Sequence, residues 1–144
     1  MGETDPLEVA ARALRHRDRS RRELDERLGK AGIGEDARAD ALETLERVGY
    51  LDDARFAVSR AQALADRGYG DAYISHDLES HGVGSDELAA ALAAIEPEPE
   101  RATRLVARLG RTVKTAAQLA RKGFAEESLE SALGAEIAVT EDDQ

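Results

Sequence analysis

Two carboxylates side by side, Asp52-Asp53, are the first residues of this sequence whose types could do chemistry. As a pair they could share a proton or clasp a cation. Directly before a helical stretch, however, adjacent acids are more often caps facing the positive helix end, and both are read that way. His76 and His81 stand five residues apart on one expected helix, whereas a helical zinc pair uses i, i+4 spacing. His16 has no evident partner and the chain has no Cys, so no metal is expected. The glycine-rich spots at 29–34, 68–70 and 82–84 lack the Lys and Ser/Thr that follow a phosphate-cradling loop, and read as helix ends and turns. Ser20, Ser59, Ser75 and Ser80 sit in helices or at caps, outside any nucleophile elbow. The expectation is a non-enzyme without catalytic residues or cofactor.

What remains is charge. The formal net charge of −10 argues, taken alone, against a nucleic-acid partner. Its distribution is uneven: residues 12–30 carry eight Arg or Lys against four acids, and residues 101–123 carry seven and no acid. The excess acid lies in 31–53, 83–100 and 124–144. Such blocks can present a basic face despite an acidic total. Within 12–30 the acids can pair at i, i+4, so a solvated face and a binding face are equal alternatives there. Within 101–123 the cations repel one another, which favours an external anion over an ordinary solvated face, with the acidic segments folding back as the alternative. The candidate contacts are Arg101, Arg104, Arg108, Arg111, Lys114, Arg121 and Lys122, joined by Arg12, Arg15 and Arg22. Arg101, Arg104 and Arg108 are expected to point outward, away from a stripe of Ala102, Leu105, Val106 and Leu109. Tyr50, Tyr69, Tyr73, Phe56 and Phe124 are too scattered for a stacking platform. Phe56 and Phe124 are expected in the core, and Tyr69 across the Gly68–Gly70 turn.

The elements that must carry these residues are helices. Ala, Leu, Glu and Arg dominate, aromatics make up 3%, and few segments favour strands. A repeat organises the chain: Leu28, Leu78 and Leu119 each stand four residues before Gly32, Gly82 and Gly123, and an apolar residue follows each Gly. Ala11, Ala61 and Ala102, Leu14, Leu64 and Leu105, and Leu42, Leu92 and Leu133 recur in the same register. The reading is all-α, with three tandem three-helix repeats in an elongated, curved array. A lead covers 1–7, the repeats 8–51, 52–97 and 98–137, and an acidic, disordered tail 138–144. Asp5-Pro6 starts the first helix, Ser20 with Glu23 makes a capping box for the second, Asp52 caps the fourth, Ser85 caps the sixth, and Pro97 and Pro99 stop the sixth. The seventh helix is expected from about Glu100 and the ninth to about Ile137. The acidic start is not a secretory signal, and no run approaches the roughly 18 apolar residues of a membrane helix. A cytoplasmic monomer without a membrane partner is expected.

The stretch Gly49-Tyr50-Leu51-Asp52-Asp53-Ala54-Arg55-Phe56-Ala57 resembles the motif of the RecX family: glycine, apolar, Leu, Asp-Asp, any, Arg, Phe-Ala. Arg67-Gly68-Tyr69-Gly70, with Ile74, Leu78 and Gly82-Val83, resembles the second-repeat signature of that family. Arg121-Lys122-Gly123-Phe124 resembles its closing element. The resemblance runs over about residues 8–135, and the tandem three-helix periodicity is similar too. It departs where Asp71, Ala72 and Tyr73 stand in place of the family's Pro and basic residues. The resemblance implies a regulator, commonly an inhibitor, of the RecA recombinase in recombination, DNA repair and the SOS response. Such a protein binds the RecA filament on single-stranded DNA and modulates its ATPase and strand exchange; the acidic total charge of this chain adds the expectation of weak binding to the free strand. Apart from the resemblance, the alternative is a general helical-repeat adaptor between proteins that binds no DNA.

Overall fold

The structure, a computed structural model, describes residues 5–142. Residues 1–4 of the expected lead and 143–144 of the expected tail lie outside the described residues. Among the described residues nine helices form in order: α1 (Pro6–His16), α2 (Arg21–Lys30), α3 (Glu35–Arg47), α4 (Asp53–Asp66), α5 (Asp71–Ser80), α6 (Ser85–Ala94), α7 (Glu98–Leu109), α8 (Val113–Arg121) and α9 (Glu126–Asp142). The same residues include no strand.

The repeated Leu-x-x-x-Gly-apolar pattern is a helix stop. Gly32, Gly82 and Gly123 have φ of 84°, 80° and 97°, the left-handed region that a side chain disfavours. In each case the amide of the following apolar residue donates to the carbonyl of the Leu (Ile33 to Leu28, Val83 to Leu78, Phe124 to Leu119, all 3.1 Å). This is the Schellman closure, and its usual companion is an apolar contact between the same two residues. Leu28, Leu78 and Leu119 are buried, as are Ile33, Val83 and Phe124. One local motif therefore ends the second helix of every triplet and seeds its core.

Three cores follow, one per triplet. The first gathers Ala10, Ala13, Leu24, Leu28, Leu42, Leu45 and Leu51. The second is built on Phe56, Ala61, Leu64, Ile74, Leu78 and Ile95. The third is built on Ala102, Val106, Leu119, Phe124 and Leu129. The register is not identical throughout. Ala61 and Leu64 are buried in α4, but in α1 Ala11 and Leu14 are only half-buried and line a cleft beside Gly49 and Tyr50.

The helix starts match and correct the sequence reading. Ser20 and Glu23 exchange both capping-box bonds at α2, and Asp52 accepts from the Arg55 amide at 3.1 Å to cap α4. Ser85 does not cap α6: Gly84 holds that position without a side-chain bond, and Ser85 is the first helical residue. Nor do Pro97 and Pro99 stop α6, which has already ended at Ala94. They open α7 instead, Pro97 at its cap and Pro99 in its first turn, where a missing N–H leaves no helical bond unmade. The helix α9 passes through a break at Gly134 (φ 55°, ψ −158°) and runs to Asp142, beyond the expected Ile137.

Candidate functional site

The central motif residues are placed by clear structural tasks. Leu51, Phe56, Ile74 and Leu78 are buried in the cores. Gly49 and Gly68 close α3 and α4 at φ of 84° and 87°. Asp52 and Asp53, adjacent in sequence, serve different helices. Asp52 caps its own, while Asp53 reaches back and accepts from the Arg21 amide, the first of α2, at 2.7 Å. Burial pushes the Asp53 carboxyl above its ordinary pKa, against the pull of that hydrogen bond. Arg55 ties the motif together: it donates to the carbonyls of Gly49 and Tyr50 at 3.0 and 3.1 Å and pairs with Asp18 at 3.3 Å.

Below the second core, Arg60 donates two bonds to Asp77, at 2.8 and 2.9 Å. The Arg60 guanidinium holds the Asp77 carboxyl below its usual range, and burial opposes it. The same bond raises Arg60. His81 lies beside Asp77 and tilts against the Phe56 ring. Burial works against the Glu23 carboxylate, yet the Arg17 hydrogen bond and the Ser20 amide bring its pKa below normal.

The expected contacts divide into groups. Arg101 does not face outward: its residue is 6% exposed. One terminal nitrogen donates to the Glu96 carbonyl at 2.8 Å, the other to Asp71 at 2.9 Å and to the Tyr69 carbonyl at 3.3 Å, while the guanidinium lies 5.8 Å from the Phe124 ring centre. Its Nε is buried with no partner. The buried stripe of α7 is thus Glu98, Arg101, Ala102 and Val106, and Leu109, expected inside, is 43% exposed. Lys122 is half-buried and donates to the Arg67 carbonyl at 2.9 Å. Arg104 and Arg108 do stand exposed, on one wall of a cleft of about 270 Å³ shared with Gln62 and Asp66 of α4. Arg104 is paired there with Glu96. Arg111, Lys114 and Arg121 are exposed at the two ends of α8 and do not line that cleft.

The cations of the first block do not converge. Arg12 is exposed and pairs with Glu8 at 3.4 Å. Arg15 lines the separate cleft near Tyr50 and Arg55. Arg22 leans over Gly82 and reaches the Ser80 carbonyl at 3.5 Å.

Two features escaped the sequence reading. Glu98 is 7% exposed, and its carboxylate accepts from the Asp71 amide at 2.8 Å, the Ala125 amide at 3.3 Å and the Ser128 hydroxyl at 2.5 Å. It caps α5 and α9 at once. The tyrosines, scattered in sequence, also meet: Tyr69 and Tyr73 stack with ring centres 3.9 Å apart. Their i, i+4 spacing across a helix start was the available signal.

Among the described residues no cluster of three or more His, Asp or Glu could hold a metal, and no helix is long and apolar enough to cross a membrane.

Comparison with known proteins covers most of the chain. Residues 52–92 match the family model "RecX, second three-helix domain". The chain is 36% identical over 140 residues to the regulatory protein RecX of Xanthomonas axonopodis pv. citri (strain 306), spanning 90% of this chain and 86% of that one. It is 35% identical over 140 residues to the regulatory protein RecX of Stenotrophomonas maltophilia (strain R551-3), with the same coverage of 90% and 86%. The crystal structure of RecX from Lactobacillus salivarius superposes with a TM-score of 0.75 at 19% identity, over 96% of this chain and 94% of that one. A second crystal structure, of a regulatory protein RecX, gives 0.73 at 21% identity, over 88% of this chain and 71% of that one. The relatives are named as regulators.

Proposed function

This chain belongs to the RecX family of regulatory proteins, and we propose that it regulates the RecA recombinase, acting without catalysis as an inhibitor of the filament on single-stranded DNA. The observation that carries this reading is similarity to regulatory proteins RecX along 90% of the chain. On this reading the protein works in recombination, DNA repair and the SOS response, as a cytoplasmic monomer, and slows both ATP hydrolysis and strand exchange. The three triplets, 8–51, 52–97 and 98–137, act as successive contact modules along the filament, and the acidic stretch 138–144 stays outside them.

The third triplet supplies the main strand contacts. Arg104, Arg108, Arg111, Lys114 and Arg121 are exposed there, with Arg12, Arg15 and Arg22 as the secondary set. Arg101 and Lys122 support these contacts from within. Each phosphate neutralised on a single strand should contribute about −0.7 to the log–log salt slope. An acidic total charge keeps binding to the free strand weak, and RecA supplies the additional contacts. The test is RecA ATPase stimulated by single-stranded DNA, titrated with this protein. A dose-dependent fall is expected, and no change at parity with RecA would sink the reading.

A second reading, a helical-repeat adaptor for proteins without DNA, is favoured by the net charge of −10 and by the engagement of Arg104 with Glu96. Reversing Arg104 and Arg108 to Glu separates the two. Loss of binding to RecA-coated strands with a flatter salt slope supports the filament. Loss on reversal of Arg12 and Arg15 instead would place the strand on the first triplet, and no effect from either pair would leave the adaptor.

A further inference from the structure

Tyr73 presents an aromatic face that the fold holds in place and leaves open. Its ring stacks on Tyr69 with centres 3.9 Å apart and planes 14° apart. The Lys122 ammonium sits 4.6 Å from the Tyr69 ring centre, and the Arg67 guanidinium 5.6 Å from it. Both cations are placed against Tyr69, the inner ring of the pair, and Tyr73 is the ring that reaches solvent. Lys122 is itself anchored by the Arg67 carbonyl, and the Tyr73 backbone is pressed against Gly123, where an added Cβ would lie 2.7 Å from the Tyr73 nitrogen. Neither end of the stack is free to turn away, yet Tyr73 remains 40% exposed.

Carboxylates on the flanking elements are engaged internally: Asp71 with Arg101 at 2.9 Å, Glu98 with two amides and the Ser128 hydroxyl, and Asp77, one turn along α5, with Arg60 at 2.8 and 2.9 Å. Arg67 and Lys122 lie at the stack, and His76 lies one turn along α5 from Tyr73, exposed. A fixed π face flanked by cations suits a base with its neighbouring phosphate, the combination by which proteins hold single strands irrespective of sequence. An acidic peptide would use the cations but gain nothing from the ring.

We propose that the exposed part of Tyr73 is a stacking site for one unpaired nucleobase of a single strand, with the adjacent phosphate in the field of Arg67 and Lys122. This rests on the reading that the protein meets single-stranded DNA, and adds a base-stacking subsite to the cationic contacts. Base–aromatic stacking of about 1–3 kcal/mol corresponds to roughly 5- to 150-fold in affinity.

The experiment measures binding of a short labelled oligo-dT by fluorescence anisotropy at low salt, beside a strand of the same length made of abasic sites. Wild type should bind the oligo-dT at least about fivefold more tightly than the abasic strand. Tyr73→Phe should keep that preference and Tyr73→Ala should lose it, while both bind the abasic strand as wild type does. The chain has three Tyr and no Trp, so its tyrosine emission reads the stack directly. It should fall on binding oligo-dT and fall less in Tyr73→Ala. A wild type that binds both strands equally overturns the proposal without any variant. So does Tyr73→Ala with an intact preference, or tighter capture of poly-glutamate than of oligo-dT. The RecA titration is independent: lost base preference with intact ATPase regulation removes only the stack, and intact base preference without regulation removes only the filament reading.

Discussion

Where the first triplet meets the second, side chains reach across; where the second meets the third, backbone meets backbone. The first junction rests on the Asp53 bond to the Arg21 amide, on Arg55 with Asp18, and on Arg22 leaning over Gly82 toward Ser80. The second has Gly70 N–H donating to the Lys122 carbonyl at 2.8 Å and Ala72 N–H to the Gly123 carbonyl at 3.2 Å, with Glu98 and Arg101 closing the space behind them. Half-exposed ion pairs contribute about 0–1 kcal/mol each, whereas a buried polar group stripped of its partner costs about 1–3 kcal/mol. The second and third triplets should therefore behave as one body, and the first should be the part that adjusts. On the function proposed above, that assigns rigidity to the two triplets carrying Tyr73, Arg104 and Arg108.

The sharpest way to break this contrast is Glu98→Ala. It strips the acceptor from two amides and the Ser128 hydroxyl. A loss of about 2–5 kcal/mol is expected in urea or thermal unfolding, comparable to truncating a buried Leu such as Leu78. A loss below about 1 kcal/mol would mean that the second junction is no stronger than the first. Gly70→Ala comes next. A Cβ there would lie 2.4 Å from the backbone of Gly123 and Phe124, and no flexible side-chain end is available to yield. The triplets must part slightly, at about 1–3 kcal/mol. The matching change at the first junction, Gly82→Ala, would bring a Cβ to 2.8 Å from the Arg22 Nε and 2.9 Å from the Arg22 Cβ. The Nε can swing away but the Arg22 Cβ is rooted on α2, so the cost should combine a small shift of α2 with the positive φ.

These two junctions also mark how far the sequence could be read. The three helix stops were legible because a Schellman closure is local: Leu, Gly and apolar residue lie within six positions, and their spacing states the geometry. Glu98 was not. It sits in Glu96-Pro97-Glu98-Pro99-Glu100, and nothing in that stretch marks which acid turns inward. Its partners, at Asp71, Ala125 and Ser128, lie 27 to 30 residues away on both sides. Arg101 was misplaced for a related reason. The i, i+3, i+7 spacing fixes the angles between Arg101, Arg104 and Arg108 but not the rotation of α7 against its neighbours. Glu98, Asp71 and Phe124 drew the helix round until Arg101 was inside and Leu109 outside. The basic block was visible as composition, and its division into internal and exposed cations required the packing.

At the first junction the effects should be small. Arg55→Ala removes the Asp18 pair and two bonds to the carbonyls of Gly49 and Tyr50. Those groups face solvent and can take water, so about 0.5–1 kcal/mol is expected, and addition of salt should shrink it. A loss above about 2 kcal/mol would show that this junction is held as firmly as the other.

The smallest effect, and the most specific, is expected at Asp53. Its pKa is raised by burial, with Glu87 and Asp52 adding to the rise and the Arg21 amide and guanidinium opposing it. A carboxyl whose folded pKa exceeds the unfolded value of about 3.9 holds its proton more firmly in the folded chain, so stability falls as pH rises between the two values. Below the unfolded value the contribution is complete; above the folded value it is gone. Asp77 and Glu23, whose pKa values are lowered, act with the opposite sign and lose their contribution as pH falls through their folded values. Asp53→Asn keeps an oxygen to accept from the Arg21 amide and removes only the titration. Near pH 7 the variant should match wild type within about 0.5 kcal/mol. The comparison with wild type should shift in the variant's favour as pH climbs from about 3 through the Asp53 window, because only wild type then acquires a half-buried charge. A shift in the opposite direction would mean that the Arg21 contacts outweigh burial, and that the first junction is held by a charge rather than by a cap.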